Sequence, residues 1–190
     1  MKRFLGSLAA ALVWVPVAFH TAAAQTDPRI NEAVQPLPED LRAGATVVVY
    51  DQATGARTVL RQGTNALECQ PKNPVDGFTR CYNKALGPRR DLEAKLRAQK
   101  KTDKEIEEAI ADATKAGTIK APTFGMMSYR LSNDDGRIKR LWVMSVPMAT
   151  PESIGVSTVS QRDDALKGEG LPWLMLPGTP GAHIMIPINK

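Results

Sequence analysis

His183 and Met185 stand two residues apart in Gly181-Ala182-His183-Ile184-Met185-Ile186-Pro187-Ile188, near the end of a chain of 190 residues. An imidazole beside a thioether is a donor set that suits Cu(I), because soft ligands select that ion. Met126, Met127, Met144 and Met148 could add to it. The other chemistry open to His183 is general-base catalysis, with Ser128 or Asp164 as candidate partners, and it requires hydrogen-bond reach between the groups. A single histidine more often has a hydrogen-bonded structural role, and a methionine more often packs. Cys69 and Cys81 are the only cysteines. They are too widely separated for a C-x-x-C redox couple, and export would favour their union as a disulfide. Closing a loop of this size is worth about 3 kcal/mol by chain entropy.

Other searches exclude familiar chemistry. The chain has no G-x-S-x-G elbow, H-E-x-x-H pair, Walker loop or G-x-G-x-x-G turn. Asp134-Asp135 and Asp163-Asp164 are adjacent acids, which reads as solvated turn chemistry rather than a catalytic pair. After Ala24 the only histidine is His183, so no relay or metal site can draw on two.

The chain begins Met1-Lys2-Arg3, runs apolar from Phe4 to Phe19, and reaches Ala22-Ala23-Ala24-Gln25. This is the pattern of a secretory signal peptide cleaved after Ala24. Pro16 interrupts the apolar run, which is shorter than the roughly 20 residues that span a bilayer. Lys2 and Arg3 are the only charged residues in 1–24, so the remaining 166 carry 23 basic and 20 acidic groups. Charge so near balance gives no footprint for nucleic acid. No later segment approaches spanning length, and the expected setting is periplasmic or secreted.

Residues 25–37 read as a flexible tether broken by Pro28 and Pro36. One α+β domain is expected over 38–190: an antiparallel sheet of hairpins with an inserted, charged helical hairpin at 88–117. Pro38 to Gly44 predicts a helical turn, Ala45 to Tyr50 a strand dense in β-branched residues, and Arg57 to Gln62 its return. Within the insertion, Thr102-Asp103-Lys104-Glu105 has the form of a capping box. Leu92, Leu96, Ile106 and Ile110 are its expected contacts with the domain. Gly125 to Leu131 and Arg137 to Val146 form strands around the Asn133-Asp134-Asp135-Gly136 turn. Ser160 to Gly170 reads as irregular and Leu171 to Pro180 as a surface loop. In the last strand, Ala182, Ile184, Ile186 and Ile188 are expected to face the core, with His183 and Met185 on the other side.

Gly63-Thr64-Asn65, the two cysteines and Gly181-x-His183-x-Met185 together resemble a group of uncharacterised exported bacterial proteins with a G-T-N…C…C core and a C-terminal G-x-H-x-M strand. The chain departs from that pattern between Pro88 and Gly117. The resemblance implies one exported domain and no mechanism. The sequence therefore ranks a non-catalytic envelope binding or structural protein first, a small hydrolase-like enzyme using His183 second, and a copper binder using His183 and Met185 third. No other cofactor is implied. Protein recovered from its native envelope should begin at Gln25 and be lighter than the reduced chain by one disulfide. Intact mass before and after reduction measures both, and a free-thiol chain starting at Met1 would overturn them.

Overall fold

The computed structural model describes residues 27–188; the signal segment lies outside them. Eight strands form one sheet: β1 Thr46–Tyr50, β2 Arg57–Arg61, β3 Leu67–Gln70, β4 Thr79–Asn83, β5 Met127–Leu131, β6 Arg140–Ser145, β7 Trp173–Met175 and β8 His183–Pro187. Their spatial order is β2-β1-β3-β4-β5-β6-β8-β7. Every neighbouring pair is antiparallel except β1 and β3, which run parallel. The helices are α1 Pro28–Ala33, α2 Glu39–Arg42, α3 Gly87–Ala98, α4 Asp103–Lys115, α5 Pro151–Ile154 and α6 Arg162–Leu166. The expected α+β class holds, and no helix among the described residues is long and apolar enough to cross a membrane.

Side chains alternate across a strand, and both faces of this sheet are covered. On the first face Val47, Cys69, Cys81 and Tyr129 pack against Ile30, Ala33, Val34 and Leu37. Trp142 joins them, edge-on to Tyr129 with ring centroids 5.5 Å apart. Residues 28–37 are thus not a tether. Asp27 caps α1 by accepting from the Arg29 N–H, Pro28 occupies the first turn, and Leu37 is fully buried. The prolines that suggested disorder start one helix and shape the turn into the next. Cys69 and Cys81 sit directly opposite each other on β3 and β4 and are joined, buried beneath this segment.

The Gly63-Thr64-Asn65 motif is structural. A Cβ on Gly63 would lie 2.3 Å from the Ala45 carbonyl carbon, so only glycine fits. The Thr64 and Asn65 amides both donate to the Gly44 carbonyl, at 2.8 and 2.9 Å. Asn65 Nδ2 donates to the Leu41 carbonyl at 2.9 Å, satisfying an acceptor left open in α2.

The α3–α4 hairpin forms as its sequence requires, with both hydrogen bonds of the Thr102–Glu105 capping box present. Its apolar residues, expected to make its contacts with the rest of the domain, pack mostly with one another. Ile106, Ile110 and Ile119 pack with Leu92 and Leu96 into a cluster of their own. Attachment to the sheet is instead polar and close-fitting: a Cβ on Gly55 would lie 2.7 Å from the Lys95 backbone.

Three further expectations are corrected. Ser160 to Gly170 contains α6, missed because Ala165 is its only buried residue. Leu171 to Pro180 contains β7, a three-residue edge strand whose signal the flanking prolines obscure. Met185 is as buried as Ile184, at 8%, while Ile186 is only half-buried. The reason is that β8 lies inside the sheet with a covered face on each side: Ile184 packs with Val146 and Leu174, Met185 with Leu141 and Trp173. Truncating a fully buried leucine costs about 2–5 kcal/mol. Leu37→Ala should lower stability by about that amount in urea unfolding, whereas a tether residue would leave the midpoint unchanged.

Candidate functional site

The second face begins as a polar surface. Glu68, only 3% exposed, points from β3 under α3. It accepts a hydrogen bond from Tyr82 Oη at 2.8 Å and is ion-paired with Arg57. Gln70 Nε2 donates to the same Tyr82 oxygen at 2.8 Å. Tyr50 Oη donates to Asp91 of α3 at 2.6 Å, and the Arg90 guanidinium lies 5.1 Å from the Tyr82 ring centroid. A buried carboxylate requires this kind of pairing. Burial drives the Tyr82 phenol well above its ordinary range, so the ring stays neutral and remains a donor. A cavity of about 270 Å³ adjoins this network, lined by Arg57, Lys84, Glu68 and Asp91. Its two cations and two carboxylates balance, and the carboxylates are already engaged. This corner docks α3 and leaves no uncompensated charge for a ligand.

The balance fails one strand further on. Arg80 and Arg130 stand directly opposite each other on β4 and β5, and Arg90 approaches from α3. Like charges facing across a ladder are destabilising. Asp76 pairs with Arg80, and Glu93 pairs with Arg90 at 2.7 Å. The Arg130 guanidinium makes no hydrogen bond or ion pair among the described residues. Burial, with Arg80 and Arg90 nearby, pushes its guanidinium down to about 10.

Arg130 opens onto a cleft of about 720 Å³. Ile138, Leu141, Trp173 and Met185 supply apolar lining, and α6 backs them with Ala165. Arg137 and Arg162 join Arg130 along the cleft, and no carboxylate lines it. Arg137 stacks 5.0 Å from the Phe78 ring centroid, while Arg162 donates to the Gly136 carbonyl at 2.9 Å. Met175 and Leu176 also line the cleft, 38% and 55% exposed.

The residues singled out from sequence fall around this cleft unevenly. Met185 is part of its apolar lining. His183 is half-buried, and its Nδ1 lies 2.8 Å from the Gly181 carbonyl, so that nitrogen carries the proton. Neither Ser128 nor Asp164 is hydrogen-bonded to the ring; Asp164 is 3.7 Å from Lys167. Met127 and Met144 pair with each other across β5 and β6, and Met148 is exposed. Among the described residues no three His, Cys, Asp or Glu side chains converge as a metal-binding group. The arginines escaped notice because each lies alone in its own segment of sequence. Comparison with protein-family models, curated proteins and solved structures finds no match.

Burial holds the His183 pKa below its ordinary value, with the Gly181 hydrogen bond opposing and Arg130 reinforcing the shift. Below the unfolded-state pKa the unfolded chain then binds more protons than the native one, so stability falls as pH drops. Chemical unfolding midpoints should decline from pH 7.5 to pH 5.5, above the range where depressed carboxylates contribute. The His183→Asn variant should show a flatter profile over that interval; an unchanged slope would contradict this assignment.

Proposed function

We propose that this chain is an exported, non-catalytic ligand-binding domain whose site is the cleft over β5, β6, β8 and β7. The observation that carries the reading is an apolar recess of about 720 Å³ lined by a few cationic groups and no carboxylate. Ligand sites are commonly recesses of roughly 300–1,000 Å³ with apolar walls and a few placed polar groups. A recess without a carboxylate, and with the His183 ring bonded to its own loop, offers no acid–base pair of the kind hydrolysis uses. Leu176 supports the reading in another way: it holds a left-handed φ of 53° while more than half exposed beside the cleft. Such backbone strain concentrates where function constrains a loop. Export through a signal peptide cleaved after Ala24 completes the proposal, in keeping with the buried Cys69–Cys81 disulfide.

The test uses N-phenyl-1-naphthylamine, an uncharged apolar fluorophore, so that it probes the cleft and not its charge. Its emission should rise on adding the folded protein. Thr158→Trp places a ring in the mouth at an exposed position, and it should weaken binding at least about tenfold by excluding the probe. Absence of enhancement with the wild-type protein would remove the proposal.

A further inference from the structure

The charge of the cleft carries the identification further, and this step rests on the cleft being the binding site. Three cations meet where β4, β5 and α3 converge, Arg80, Arg90 and Arg130, against two carboxylates, Asp76 and Glu93. Each carboxylate is taken by another arginine, and the arginine left over is the one lining the cleft. Arg137 is largely spent on the Phe78 face, with Asp134 only at 3.9 Å. Arg162 uses one nitrogen on a backbone carbonyl, which leaves its positive charge uncancelled. A guanidinium presents a planar fork of donors matched to carboxylate or phosphate oxygens. Directly beside these heads Leu141, Trp173 and Met185 form an apolar floor, and Met175 and Leu176 extend it with exposed side chains that only an apolar group can cover favourably.

We propose that the cleft takes a single-chain amphiphile: an anionic oxyacid head held by Arg130, with Arg137 and Arg162 beside it, and an alkyl chain laid over Leu141, Trp173 and Met185. The head supplies the anion that Arg130, facing the Asp76-paired Arg80, lacks. The chain leaves past Met175 and Leu176, whose exposed side chains continue the apolar path. Carboxylate and phosphate heads share this chemistry, and the two are separated by direct comparison.

Isothermal titration calorimetry with decanoate, decyl phosphate and decanol, each below its aggregation limit, makes the test. At least one anion should bind about 10- to 100-fold tighter than decanol, the gain expected for hydrogen bonds to a charged group. Whichever anion binds tighter names the head. Arg130→Met keeps the apolar stem and removes the charge; it should erase the preference for the anion while leaving decanol affinity within about twofold. Should that variant fail to fold, Arg137→Gln, at a less buried position, should reduce the preference in the same direction. Octanoate should bind more weakly than decanoate by about fourfold for each missing methylene. Equal affinity for decanol and both anions would overturn the anionic head while leaving the cleft a binding site. Failure of all three ligands, together with failure of the naphthylamine probe, would overturn the cleft reading itself.

Discussion

A carboxylate placed on an interior strand beneath a helix cannot remain ionised without a cation and a hydrogen-bond donor to replace the water it loses. Glu68 meets this requirement with Arg57 and Tyr82, and much of the second face follows from it. Tyr82 must stay neutral to donate. Gln70 bonds its oxygen from the neighbouring position, and Arg90 lies over its ring. Asp91, one residue along α3, takes the Tyr50 hydroxyl. The helical hairpin is therefore held to the sheet by directional polar contacts, while its isoleucines and leucines serve its own small core. Polar docking of this kind specifies a single register for the helix, because a shift by one residue would take Asp91 from Tyr50 and Arg90 from the Tyr82 ring.

The same strands that complete the Glu68 network leave it unbalanced on its far side. β4 carries Tyr82 toward the network and Arg80 toward β5, and the antiparallel register places Arg130 opposite Arg80. A fold that tolerates two facing arginines either supplies an anion from within or leaves room for one from outside. Asp76 provides the first for Arg80; the cleft provides room beside Arg130. The transition from polar to apolar lining thus occurs at one strand, β5, and the proposed ligand would share that division.

The first face solves a simpler problem. A sheet face of Val47, Tyr129 and Trp142 must be hidden from water, and the residues before the first strand do this with α1 and Leu37. The disulfide lies in this layer, joining β3 to β4 where they are already neighbours. Its contribution is to hold the middle of the sheet while the long α3–α4 excursion separates β4 from β5 in sequence.

Much of this was legible from local pattern. The β-branched run before Tyr50, the Thr102–Glu105 capping box and the cysteine pair each formed as read, whereas the Asn133–Gly136 turn lies in a longer loop because β6 begins at Arg140 and not at Arg137. Alternation in the last strand was also legible, but its consequence was not: Met185 is buried because the Trp173 side chain of β7 and Ala165 of α6 pack on that side, which no property of the strand could announce. The segment before Pro38 looked unstructured because its few apolar residues count for little until a sheet face lies opposite them. The sequence by itself thus determined the central strands, the α3–α4 hairpin with its cap and the disulfide partners, since propensity, capping and periodicity act over a few residues, but not α1, α6 or β7. Only the tertiary structure decided which charges cancel. Ion pairing falls off within a few ångströms, so the pairing of Glu68 with Arg57, and the solitude of Arg130, exist only once β1 through β5 stand side by side.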